Sequence, residues 1–299
     1  SNTVYCFSCH AKYDIINLMG IEMGLGAELQ GKNFIEAVKY GCNKYGIPFE
    51  YGHEWNPQEY IKQCHRRAFK TTYFKKRNLS SHTIKKFKLG FDPSYPLNNE
   101  FPAKGKTMEA IIIPTSSYTY TARNTDPESK IRFRRSSGIT NMFNIDALES
   151  ELPVFVTEGE IDALTILDIG PKCVALSGTS NIEKFAEACR KANFKSTVLI
   201  ALDNDNPGKK HAEKLKELLD EYHIRNKILN IYGKYKDANE YYCKESNQFS
   251  LIVGRELKSA IQEDKHEKTC ENIKKDCLEL TDEELLEIEE IISKIKEKK

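Results

Sequence analysis

The 299-residue chain has no uninterrupted apolar stretch of membrane-spanning length and no export leader, so neither a transmembrane helix nor secretion is expected. Its nine cysteines are odd in number and form no framework, which argues against a disulfide scaffold and for a reducing, cytoplasmic setting. A nucleotide-driven motor is also missing. Gly105-Lys106-Thr107 has the ending of a phosphate-cradling loop, but Glu100 stands where that loop needs its earlier glycine. Net charge nearly vanishes as well, at +1. The balance conceals a division: residues 1–150 hold 21 Lys and Arg against 14 Asp and Glu, and the remainder 24 against 30. A basic front half and an acidic rear half suit a polyanion lying across one and a cation site in the other. At 39% hydrophobic content the chain can bury a core and build two or three structural units.

The acids with most to say follow short apolar runs. Val154-Phe155-Val156 leads into Glu158, and Val198 to Leu202 leads into Asp203, Asp205 and Pro207-Gly208. Unbroken apolar runs bounded by turn residues suit strands buried on both faces of a parallel sheet. Between them lie a helical stretch (Ile161 to Ile169), a strand (Cys173 to Leu176), a small-residue turn and a helix (Ile182 to Ala192). A helical run from Lys209 to Tyr222 and a strand from Lys227 to Tyr232 follow. This order predicts a doubly wound α/β unit whose ligands gather at the carboxyl ends of the strands, where all three acids fall. In extended chain alternate residues point the same way, so Asp203 and Asp205 can face one ion while Asn204 turns aside. Such carboxylates repel one another unless a cation such as Mg²⁺ neutralises them. Read alone, DNDNPG is equally a solvated turn whose Asp205 or Asn206 caps the next helix.

Residues 66–88 carry nine lysines and arginines with no acid: Arg66, Arg67, Lys70, Lys75, Lys76, Arg77, Lys85, Lys86 and Lys88. Phe69, Tyr73, Phe74 and Phe87 are interleaved. Cations displace counterions from phosphates and aromatic faces stack on unpaired bases, so the stretch suits a nucleic-acid surface; the plainer reading is a solvated helix face over a small core. Downstream, Tyr118, Tyr120 and Ala122 alternate with Thr119, Thr121 and Arg123, as in a strand with one wet face. Lys130, Arg132, Arg134 and Arg135 follow. Arg123, Lys130, Arg132 and Lys236 are the candidate phosphate contacts.

Glu158 with Asp203-Asn204-Asp205 resembles the Toprim domain shared by bacterial-type primases, type IA and II topoisomerases and certain nucleases. EGEIDALT, and Lys236-Asp237-Ala238-Asn239-Glu240 after the last strand, are similar to elements of phage-type primase-helicases. Two basic segments resemble that catalytic core further: Tyr73 to Gly90 is similar to its "YL-x-x-RGLS … TI-x-x-F-x-LG" pattern, and Ala110 to Pro114 to the strand opening its basic subdomain. The resemblance implies Glu158, Asp203 and Asp205 as ligands of Mg²⁺ or Mn²⁺, with Asp162 and Asp237 as further acids near the metal. It implies Lys75, Lys76, Arg77, Arg123, Lys130, Arg132 and Lys236 on template and triphosphate. Asn239 departs from the aspartate more usual in bacterial replicative enzymes. Cys6-Phe7-Ser8-Cys9 resembles half of the zinc ribbon that fronts such primases; Cys6 and Cys9 would need partners before Ser1, or among His10, Cys42 and His53, to hold Zn²⁺.

The expected organisation is α/β, α+β overall: a zinc-ribbon remnant with helices (1–55), a basic primase subdomain (56–150), a Toprim doubly wound parallel sheet (151–245) and a helical tail (246–299). In the tail Thr281-Asp282-Glu283-Glu284 has a capping-box pattern, and Leu285, Ile288, Ile292 and Ile295 make an apolar stripe that packs on the body or serves a partner. The expected activity is RNA primer synthesis on a single-stranded DNA template from ribonucleoside triphosphates, beside a replicative helicase and away from membranes. A Toprim nuclease, or a non-catalytic DNA-binding protein of a mobile element, are the alternatives. A topoisomerase is disfavoured because no strand-cleaving tyrosine can be singled out among 15.

Overall fold

A computed structural model describes residues 3–8, 12–47, 56–97, 105–136 and 142–278. The chain divides into two compact units, 1–55 and 56–299. In the first, strands β1 (Thr3–Tyr5) and β2 (Lys12–Asp14) form an antiparallel hairpin, followed by helices α1 (Ile15–Glu22) and α2 (Gly31–Lys44). Asp14 and Asn17 cap α1 reciprocally, each side chain accepting the other's backbone N–H at 2.8 Å.

The second unit opens with α3 (Pro57–Arg66), α4 (Tyr73–Lys76) and α5 (Ser81–Lys86). Asn56 caps α3 and Pro57 sits where a missing N–H costs nothing. Strands β3 (Gly90–Pro96), β4 (Thr107–Pro114), β5 (Tyr120–Asn124) and β6 (Phe133–Arg135) then make an antiparallel sheet in sequential order. Lys106-Thr107 therefore enters a strand, which a phosphate-cradling loop would not. The Ala110 to Ile113 run is unbroken because both sides of β4 are covered. Ala110 and Ile112 join Ile61, Cys64, Tyr95 and Tyr120, while Ile111 and Ile113 join the larger core with Phe74, Leu89 and Phe91.

This arrangement corrects the expected wet face of β5. Tyr120 and Ala122 are buried as predicted, but Thr121 is 2% exposed and Arg123 is half-buried, because that side of the sheet meets the parallel α/β unit. The strand starts at Tyr120, and Tyr118 lies exposed in the turn before it.

The parallel sheet comprises β7 (Val154–Thr157), β8 (Lys172–Ala175), β9 (Val198–Ile200) and β10 (Asn226–Ile228), with helices α6 (Glu160–Ile169), α7 (Ile182–Lys191) and α8 (Asn206–Glu221) in the crossovers and α9 (Ala238–Leu278) after it. Its order is β10-β9-β7-β8, parallel throughout, the doubly wound arrangement expected. Val154 and Val156 pack with α7 and α8 on one side, and Phe155 with α6 and α9 on the other. The last strand is shorter than predicted: β10 pairs only with residues 198–200, since the chain leaves β9 at Ile200 to set the acidic turn.

Helix α9 runs through one non-helical residue, Glu245, and is pinned at its far half by Asp264, which accepts hydrogen bonds from Ser196 Oγ, Thr197 Oγ1 and the Thr197 N–H. Among the described residues no helix is long and apolar enough to cross a membrane. The capping box at Thr281 and the stripe from Leu285 to Ile295 lie outside the described residues, as does most of the loop after Ser136.

Candidate active site

In a sheet of order β10-β9-β7-β8, the chain runs from β7 to one side and then returns to the other, so a crevice opens between the carboxyl ends of β7 and β9. Glu158 follows β7 by one residue, and Asp203 and Asp205 occupy the turn after β9. Local chemistry shapes that turn. Asp205 caps α8, its Oδ1 accepting the Gly208 N–H at 2.9 Å, and Pro207 occupies the first helical turn. A Cβ on Gly208 would overlap the Asp203 carbonyl, so no other residue lets the helix start this close. Asn204 turns aside: its Nδ2 donates to the Gly233 and Tyr235 carbonyls at 2.9 and 3.2 Å, and its N–H to the Lys236 carbonyl at 2.7 Å. Those bonds fasten the loop bearing Lys236 across the acids.

Lys236 Nζ lies 3.2 Å from Asp203 Oδ2 and 3.4 Å from Asp205 Oδ2, so the two aspartates do face one cation, the chain's own ammonium. Burial, then the charge of Asp203, push the Glu158 carboxyl above its usual range. Burial also raises Asp203 against the pull of Lys236, while the Gly208 N–H holds Asp205 low. Glu158 Oε1 is buried without a hydrogen-bond partner, 3.5 Å from His211 Nδ1, which has none either. Among the described residues no three His, Cys, Asp or Glu side chains already close around a single point.

Asp162 and Asp237 lie beside this group in capping roles. Asp162 Oδ1 accepts the Asn239 N–H at 3.0 Å, and Asp237 Oδ1 accepts the Glu240 N–H at 2.7 Å, so both hold the start of α9. Burial, reinforced by the charges of Asp237 and Asp203, lifts the Asp162 carboxyl well above its usual range.

Asn239, the departure from the expected aspartate, is 2% exposed and is a joint. Its Nδ2 donates to the Arg77 carbonyl and Thr165 Oγ1, both at 2.9 Å, while its Oδ1 accepts from Arg77 Nη1 at 3.1 Å. The Arg77 guanidinium lies 5.2 Å from the Tyr73 ring centroid, and the Tyr73 hydroxyl accepts from Arg123 Nε at 3.1 Å. Thr121 Oγ1 donates to the buried Glu160 at 2.9 Å. The basic sheet and the acidic site are thus wired together through Arg77, Arg123 and Thr121.

The other predicted contacts divide. Lys75, Lys76, Lys130 and Arg132 are exposed, with Arg132 donating to the Pro127 carbonyl. Tyr73 and Phe74 are core residues, not stacking platforms, and Phe87 is half-buried; Phe69 alone of the four is exposed, at 60%. Cys6 is half-buried in the first unit, and Cys9, His10 and His53 lie outside the described residues. Sequence reasoning missed Asn239 as a joint and His211 altogether. The only signal for His211 was its place one turn after Gly208, inside a run that otherwise looks like a solvated helix face.

Residues 155–242 match the family model described as Toprim-like. The chain carries a Toprim-like domain and resembles DNA primases. Over 178 residues, 54% of the chain, it is 26% identical to the DNA primase of Mycoplasma genitalium, and it spans 29% of that protein's length. Among solved structures, the zinc-binding and RNA polymerase domains of the Aquifex aeolicus primase match with a TM-score of 0.50 at 16% identity, over 85% of this chain and 73% of that one. The primase fragment of the bacteriophage T7 primase-helicase protein matches at 0.48 and 18%, over 85% and 89%. At 16% identity the Aquifex likeness is one of fold, and it extends beyond the Toprim-like domain.

Proposed function

We propose that residues 56–150 and the Toprim-like domain, 151–245, together form the catalytic core of a DNA primase, which joins ribonucleoside triphosphates into a short RNA on a single-stranded DNA template. What supports this reading is that Glu158, Asp203 and Asp205 all follow the neighbouring strands β7 and β9 at the switch point of the sheet, near enough for the aspartate charges to act on Glu158, beside a basic segment joined through Arg77 and Asn239. Two features fit a divalent cation there: oxygen donors from three carboxylates, and a buried Glu158 Oε1 without a hydrogen-bond partner. Mg²⁺ or Mn²⁺, held by Glu158, Asp203 and Asp205, would supply charge stabilisation at the attacked α-phosphate and the departing pyrophosphate.

The chain's own residues do the positioning. Lys236 already sits between the two aspartates, and its exposed ammonium can exchange them for a triphosphate oxygen. Lys75, Lys76, Lys130 and Arg132 present free-standing charge to a phosphate backbone without sequence preference. Arg77 and Arg123 act from inside, fixing the basic unit against the acids, which is where orientation enters the rate. Asp162 and Asp237 hold the head of α9, and with it the Lys236 loop. For zinc the described residues offer Cys6 alone from the Cys6-Cys9 pair, and no step depends on it. A replicative helicase as partner, and a cytoplasmic setting, belong to this reading.

The experiment is incorporation of labelled ribonucleotides on single-stranded DNA by the wild type and by Asp203→Ala. Metal-dependent synthesis lost in the variant supports the reading; synthesis that survives overturns it. Cutting of the DNA without nucleotides would favour a Toprim nuclease.

A further inference from the structure

We propose that His211 is a nitrogen donor to the cation at the acid site and biases that site toward manganese over magnesium. The inference rests on the metal-binding part of the function proposed above. Its starting point is a long contact. His211 Nδ1 and Glu158 Oε1 are each buried at the atom, neither has a partner in good hydrogen-bond geometry, and they face each other at 3.5 Å, an ion pair only when the imidazole is protonated. Leaving a buried polar atom poorly paired is costly. Two such atoms facing each other mark a place for a shared partner.

The spacing suits a cation better than a proton. Nitrogen and oxygen ligands about 2.1 Å from one ion, subtending an angle between square and tetrahedral, stand roughly 3.0–3.4 Å apart. The observed separation is close to that, and long for a direct charge-assisted hydrogen bond of about 2.7–2.9 Å. Position follows from the fold. Asp205 caps α8 and Gly208 brings its first turn against Asp203, which places His211, on the next turn, beside the end of β7. The same helix start therefore delivers both an aspartate and an imidazole to the crevice.

Donor chemistry selects the ion. Mg²⁺ prefers an all-oxygen shell and retains several waters, whereas Mn²⁺ shares that preference for oxygen but, as the first member of the transition series, accepts one imidazole more readily. A site drawing on His211 beside Glu158, Asp203 and Asp205 loses part of its fit to Mg²⁺ and keeps its fit to Mn²⁺, with the remaining positions open to water and phosphate oxygens.

The test uses the full chain, with Mn²⁺ and Mg²⁺ alone as probes. Pulsed electron paramagnetic resonance of bound Mn²⁺ should show a directly coordinated ¹⁴N in the wild type, absent from His211→Ala. Calorimetry should show Mn²⁺ affinity falling at least about tenfold in that variant, with Mg²⁺ affinity changing by less than about twofold. Mn²⁺ bound without nitrogen coupling, or equal losses for both ions, overturns the inference and leaves the primase reading standing. Nitrogen coupling in a chain that incorporates no ribonucleotide does the reverse. Failure of the wild type to bind Mn²⁺ overturns the inference, and failure to bind either ion overturns both.

Discussion

Replacing Asn239 with alanine should cost far more than a surface substitution, because one side chain joins two halves of the catalytic unit. The amide makes three bonds that alanine cannot: to the Arg77 carbonyl, to Thr165 Oγ1 and from the Arg77 guanidinium. Two neutral bonds at about 1 kcal/mol each and one charged bond at about 1.5–3 kcal/mol give roughly 4 kcal/mol. At about 2–4 °C per kcal/mol for a unit of this size, the melting temperature should fall by roughly 8–16 °C. Denaturant unfolding of wild type, Asn239→Ala, Arg77→Ala and the double variant measures it. The cycle should return a coupling of about 1–2 kcal/mol, since the guanidinium bond is shared and the bond to the Arg77 backbone is not. A loss below about 1 kcal/mol for Asn239→Ala, or additivity within about 0.3 kcal/mol, would refute the idea that this residue is the joint.

Three further outcomes are expected. The Asp162 carboxyl is raised in the folded state by burial and by Asp237 and Asp203, so it binds its proton more tightly folded than unfolded; stability from this group is greatest below its unfolded value and lost as pH rises through the folded one. Asp162→Asn, melted in chelator, should therefore gain most over the wild type at alkaline pH and converge with it toward pH of about 4; a constant difference across pH would contradict the assignment. Lys236→Met removes an ammonium lying 3.2 and 3.4 Å from the two aspartates, two partly exposed pairs worth about 1 kcal/mol together, and should tighten divalent-ion binding about fivefold by calorimetry at low salt. Thr121→Val leaves the Glu160 carboxyl buried without that donor and should lower stability by about 1–3 kcal/mol in urea unfolding, whereas Thr107→Val, exposed at the start of β4, should cost under about 0.5 kcal/mol.

What could be read from the sequence was what short-range physics decides. The runs Val154 to Val156 and Val198 to Leu202 read as strands because they are apolar, short and followed by turn residues; both are, the second only as far as Ile200. Asp203 and Asp205 do both face Lys236 while Asn204 turns to other partners, but they do so from the turn after β9 and not by alternation along a strand. Of the two readings of DNDNPG, the helix cap is seen: Asp205 caps α8, and its other oxygen faces Lys236. What could not be read were contacts between segments far apart in the chain. Arg123 looked exposed because alternation along β5 implies a dry and a wet side, and nothing local says that the supposedly wet side will meet α4 and α6. Asn239 and Arg77 are 162 residues apart, and only the folded topology brings them into contact. Tyr73 and Phe74 carry the same side chains whether they stack on bases or fill a core, and burial alone distinguished the two. His211 was invisible for the same reason, because its nearness to Glu158 is set by where α8 starts against β7 and not by its own sequence neighbours.

The reading as a primer-synthesising site depends most on the acids at the switch point making phosphodiester bonds and not breaking them. One reaction distinguishes the two: end-labelled single-stranded DNA with ribonucleoside triphosphates and Mg²⁺ or Mn²⁺, resolved on a denaturing gel for wild type and Asp203→Ala. New RNA oligomers on intact DNA from the wild type, and none from the variant, are the predicted result. Shortened DNA with no RNA product, or RNA made equally by the variant, would contradict it.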